Sequence, residues 1–94
     1  MPRHALFALG TVVATPGALE RLQEFRLLPF MLLLRHQYGD WGDMETEDKA
    51  ANDAAIANGS RIFSAYKPGQ TETTLWVITE ADRSSTCILT PDEY

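Results

Sequence analysis

His36 and Asp40 stand four residues apart at the end of an apolar run, with Asp43 and Glu45 just beyond. An imidazole nitrogen among carboxylate oxygens is the donor set of a mixed nitrogen–oxygen or hard-cation metal site. The spacing is loose, however, Met44 interrupts any EF-hand pattern, and D-x-x-D-x-E has the wrong register for one. A structural His36–Asp40 pair holding the loop Gly39-Asp40-Trp41-Gly42 is therefore expected ahead of a ligand set, and no metal or cofactor is assigned. Glu80 and Asp82 share a turn and could pair as carboxylates for hydrolysis; a separate enzymatic reading is a small metal-dependent hydrolase using His36, Asp40 and Asp82. Asp82 capping its turn, with Arg83 bridging to it or to Asp92 or Glu93, competes with that reading. Nucleophilic catalysis would draw on Cys87, Ser84 or Ser85 with His4 or His36. Cys87 lies in a strand-like run beside Ile88 and Leu89, where a thiol is normally buried and inert. No G-x-S-x-G elbow, P-loop or G-x-G-x-x-G occurs. A non-enzymatic chain is the expectation.

Asp40, Asp43, Glu45, Glu47, Asp48 and Asp53 place six carboxylates in fourteen residues, with only Lys49 against them. Gathered on one surface, they could imitate a row of phosphates and occupy a nucleic-acid groove on another protein. With Trp41 as an aromatic anchor they form the candidate partner-binding set, while His36, Gly39 and Gly42 are assigned to the loop's structure. Residues 1–38 carry four Arg against Glu20 and Glu24, a net of +2; residues 39–94 carry four Lys or Arg against eleven Asp or Glu, a net of −7. So uneven a balance argues against direct phosphate binding, which depends on Lys and Arg, and favours a basic protein partner, including a nucleic-acid-binding complex. Ordinary solvation of an acidic helix start is the plain alternative.

The elements that must position these residues are legible from patterning. Phe7 to Ala14 reads as a strand, and the apolar run after Arg3 suits a strand better than a secretory leader. Thr15 caps a helix that opens at Pro16. Pro29 opens a second, PFMLLLRHQY, whose five consecutive apolar residues from Phe30 to Leu34 predict a central buried helix or, alternatively, a partner-binding face. Gly39 ends it. Trp41 should fold back on the core with its indole N–H paired. Thr46 is read as the cap of a third helix, with Ala50, Ala51, Ala54, Ala55 and Ala57 as the face that lies close to a sheet, and Asn58-Gly59 stops it. Residues 61–67 and 73–80 alternate around Pro68-Gly69 as a hairpin, and 85–90 follows as another strand. The prediction is one α+β domain over residues 1–94, of order β-α-α-α-β-β-β, with a mostly antiparallel sheet and helices on one face. The run LLPFMLLL is too short to span a bilayer, and the lone Cys87 fits a cytoplasmic setting.

FALG…VATPGALE, RHQYGDWGD, EDKAANDAA, GSRIFSAY and WVITEADRSSTCILTPDEY together resemble a family of small bacterial proteins described as plasmid-related. GDWGD and ITEADRSST are the specific parts; residues 23–33 are the least distinctive. The resemblance implies carriage on mobile elements. Some members bear a restriction-system subunit name, yet 94 residues leave no room for a methyltransferase fold. It assigns no catalytic role to any position. The expectation drawn from it is a non-enzymatic acidic protein that inhibits a host defence complex, CRISPR or restriction, by occlusion or nucleic-acid mimicry. A homodimer formed through a sheet edge or the second helix is a further reading.

Overall fold

Thr15 accepts a hydrogen bond from the Ala18 amide, and Pro16 supplies the first residue of α1 (Pro16–Glu24). Pro29 opens α2 (Pro29–Gln37) in the same way, and α3 spans Thr46–Asn58. Strands β1 (Thr11–Ala14), β2 (Ile62–Tyr66), β3 (Leu75–Thr79) and β4 (Ser85–Leu89) complete the computed structural model, which describes residues 4–94. The sheet order is β1-β4-β3-β2. β2–β3 and β3–β4 are antiparallel, whereas β1 runs parallel to β4 with Thr11 opposite Ser85. The predicted α+β order and mostly antiparallel sheet are present, and the first strand sits at an edge.

Register puts Ile62, Ser64, Tyr66, Leu75, Val77, Thr79, Thr86 and Ile88 on one face, and all are buried. There Ala18 and Leu22 of α1 and Leu32 of α2 join Tyr66, Leu75, Val77 and Ile88 in the main core. A second cluster, Trp41, Ala55 and Ile62 with Phe7, Met44 and Ile56, lies where α3 meets β2.

Several expectations are corrected. β1 is shorter than Phe7–Ala14: Gly10 leaves the extended region at φ 65°, and Phe7 packs against His36 and Trp41 instead of entering the sheet. α2 is not buried all round. Leu32 and His36 face the sheet, while Phe30, Met31 and Leu34 are exposed, because one sheet face can cover only one stripe of a helix. The alanine face of α3 does not form: only Ala55 of that set is buried, and Asn52 turns inward beside it. Glu45 rather than Thr46 holds the cap position.

Candidate functional site

The segment after α2 closes the outer edge of β2. Tyr38 and Gly39 end the helix, and the chain then runs alongside Ala65: the Ala65 amide donates to Trp41 O at 3.1 Å and the Asp43 amide to Ala65 O at 2.7 Å. Gly42 makes that approach feasible. It has φ 81°, and a Cβ there would lie 2.1 Å from Ala65 O. Two residues earlier on the same edge, Asn52 of α3 does the work of a peptide group. Its Oδ1 accepts from the Phe63 amide at 3.0 Å and its Nδ2 donates to Phe63 O at 2.6 Å. Phe63 and Ala65 thus find partners that a fifth strand would otherwise supply.

Trp41 is only 3% exposed, and its indole N–H donates to Asp53 Oδ1 at 3.0 Å. The burial and the paired N–H agree with the sequence reading. The anchor role does not survive, because the ring presents no surface to a partner. Asp53 is spent orienting it. Asp40 is likewise engaged: Arg35 Nε donates to Oδ2 at 2.7 Å, and the Gly42 amide donates to Oδ1. The Arg35 hydrogen bond holds the Asp40 carboxyl below the usual range, and Asp40 raises Arg35 in return. Arg35 also lies 4.4 Å over the Tyr66 ring, whose hydroxyl donates to Asp40 O. Asp43 accepts the Lys67 amide.

His36 does not pair with Asp40. It is fully buried, with Nδ1 2.6 Å from Ser64 Oγ and Nε2 2.9 Å from Thr79 Oγ1. Thr79 in turn meets Thr86 Oγ1 at 2.7 Å, and Thr86 donates to Leu9 O. That final carbonyl can only accept, so the direction of each proton is fixed back as far as His36 Nε2. Thr86 gives to Leu9, Thr79 to Thr86, the His36 Nε2–H to Thr79, and Ser64 to Nδ1. The chain therefore requires a proton on Nε2, and burial, which disfavours the charged ring, leaves Nδ1 to accept from Ser64. Burial, with Arg83 adding repulsion, pushes the His36 pKa down to about 3. Phe7 and Trp41 meet its ring edge-on. Sequence spacing had no means of finding these partners, which come from strands 28 to 50 residues further on.

His36, Asp40 and Asp82 do not converge on a common atom. His36 is committed to Ser64 and Thr79 and Asp40 to Arg35, while Asp82 caps the β3–β4 turn by accepting the Ser84 amide. The Ser84 hydroxyl lowers the Asp82 pKa. Arg83 reaches Ser60 O and Ala55 O rather than the acids expected for it, closing the C-terminal end of α3. Cys87 is half-buried, and its pKa is raised by burial, with Glu93 and Glu80 adding to the effect. Among the described residues no group of three or more His, Cys, Asp and Glu is placed to hold a metal, and no helix is long and apolar enough to cross a membrane.

The sequence suggests no role for Glu93 beyond a bridge to Arg83. Its carboxylate accepts from the Thr15 hydroxyl, the Gly17 amide and both the amide and hydroxyl of Thr90. Those bonds, the Thr15 one foremost, pull its pKa down to about 2. The result fastens the 3-10 turn Pro91–Glu93 to the start of α1, and Tyr94 beyond it rests on Trp76. The pattern T-x-x-E at Thr90 is a capping-box signal that could have revealed the local half of this contact.

Glu45, Glu47 and Asp48 remain exposed around the first turn of α3, and no salt bridge reaches them among the described residues. Comparison with protein-family models, curated proteins and solved structures finds no match to this chain.

Proposed function

We propose that this chain is a non-enzymatic binding protein that meets a basic surface on a protein partner through Glu45, Glu47 and Asp48. The observation that carries the reading is the division within the acidic segment. Asp40, Asp43 and Asp53 are spent on the Gly39–Asp43 loop, whereas the three carboxylates on the first turn of α3 are exposed and, among the described residues, in no salt bridge. His36, Gly39, Gly42 and Trp41 then serve to fix where that turn stands. Three free charges make a short patch, which suits occlusion of a basic site better than imitation of an extended phosphate row. The family resemblance suggests that the partner is a nucleic-acid-binding defence complex of the host, CRISPR or restriction, met in the cytoplasm.

The test is affinity capture from a host lysate at low and moderate salt, with wild type beside the triple variant E45Q/E47Q/D48N. The expected result is a partner held by wild type, weakened by salt and lost by the variant, with unchanged circular dichroism. A partner retained equally by both proteins, or none recovered at either salt, overturns the reading.

A further inference from the structure

The two edges of the sheet are treated in opposite ways. At β2 the outward backbone groups of Phe63 and Ala65 are taken up by Asn52 and by Trp41 and Asp43. At β1 the Thr11 and Thr15 amides donate inward, to Ser84 O and Ile88 O of the β4 side. Strand alternation then turns the amides and carbonyls of Val12 and Ala14 outward. Thr11, Val12 and Val13 are exposed, Val12 at 42% and Val13 at 49%. From Gly10 to Pro16 the sequence GTVVATP contains no charged residue, so no charge guards this edge against pairing.

From this contrast we infer that β1 is the contact through which two copies of this chain associate, pairing antiparallel across a two-fold axis to make one continuous eight-strand sheet. An edge strand carries a donor and an acceptor on the same residue, so it is complementary to itself under a two-fold. With the axis at Val13, Val12 of one copy faces Ala14 of the other, and the two Val13 side chains meet on the sheet face away from α1 and α2. An edge without charge gives neither an acidic nor a basic partner an advantage, whereas the outward donors and acceptors of Val12 and Ala14 match a second copy of the same strand. The acidic α3 packs against β2, three strands away. Joining at β1 therefore holds the two strongly negative ends as far apart as the sheet allows. This contact is separate from the α3 surface proposed above and responds to salt in the opposite sense: screening the like net charges strengthens it, while screening weakens an acidic–basic contact.

Sedimentation velocity of wild type, V12P, V13K and F30E from micromolar to millimolar concentration decides the matter. The Val12 amide points away from β4, so proline there removes an intermolecular donor while sparing the β1–β4 ladder. Lysine at position 13 tests the same edge without touching the backbone. Wild type and F30E should dimerise, more so as salt rises, and V12P and V13K should lose the dimer while keeping the wild-type circular dichroism. A wild type monomeric throughout overturns the inference. So does a dimer that persists in V13K, or one abolished by F30E alone, which would place the contact on the apolar face of α2.

Discussion

Lowering the pH is the sharpest probe of the buried proton chain at His36. Its pKa falls from 6.5 in the unfolded chain to about 3 in the fold. The unfolded state therefore binds the extra proton first, and stability attached to this group is complete above pH 6.5 and drains away as pH drops toward 3. Linkage with these two values gives a loss of about 3 kcal/mol between about pH 7.5 and 4.5, with the limiting slope set by a single proton. A domain of this size has roughly 5–14 kcal/mol in hand, so the drop is a large fraction of the total. It corresponds to a fall in Tm of roughly 10–20 °C. Urea unfolding by tryptophan fluorescence, repeated at several pH values across that window, measures it directly. Asp40 and Glu93 also have depressed pKa values, but their contributions fall away only as pH descends through the ordinary carboxylate range and below. The upper part of the window thus isolates the imidazole. H36Q, which keeps an amide in the polar chain but does not titrate there, should be less stable at neutral pH and should lack the slope. Wild-type stability that is flat from about pH 7 to 5, or a slope that survives in H36Q, would refute the neutral, buried imidazole.

Two further outcomes follow from the sealed edge. N52A removes both partners of Phe63 at once and should cost about 2–4 kcal/mol in urea unfolding, from the typical penalty of leaving two such groups unpaired; N52D restores the acceptor alone and should fall between N52A and wild type. G42A drives a Cβ against Ala65 O, whereas the same change at Gly59, also at positive φ, meets nothing within 4 Å. G59A should cost about 1 kcal/mol, the expense of a left-handed alanine alone, and G42A should exceed it clearly; equal losses would show that the loop does not press on β2.

The fold was legible where physical signals are local. Thr15-Pro16, Pro29, Asn58-Gly59 and the alternation from Arg61 to Thr90 each act through their own backbone, and the observed elements follow them within a few residues. The failures share a different cause. Phe30, Met31 and Leu34 look like core because they are apolar, but exposure depends on how much sheet lies above them. Asn52 and His36 look like surface or site residues because they are polar. Both are buried, since the Phe63 backbone in one case and Ser64 and Thr79 in the other satisfy them across long stretches of chain. In the acidic segment, composition could not separate carboxylates tied to Arg35, Trp41 and Lys67 from those left in solvent. That division exists only after the loop has folded.

The pairing of Thr11 with Ser85 also sets an order of events during synthesis. β1 leaves the ribosome before α1, α2, α3, β2 and β3, and has no strand to lie against until β4 follows them. Antiparallel β3 and β4, joined by a short turn, must zip together first and present the bare flank onto which β1 then closes. Until that moment the uncharged GTVVATP stretch is an adhesive thread with no home, which makes the final parallel docking the step most open to interference from neighbouring nascent chains.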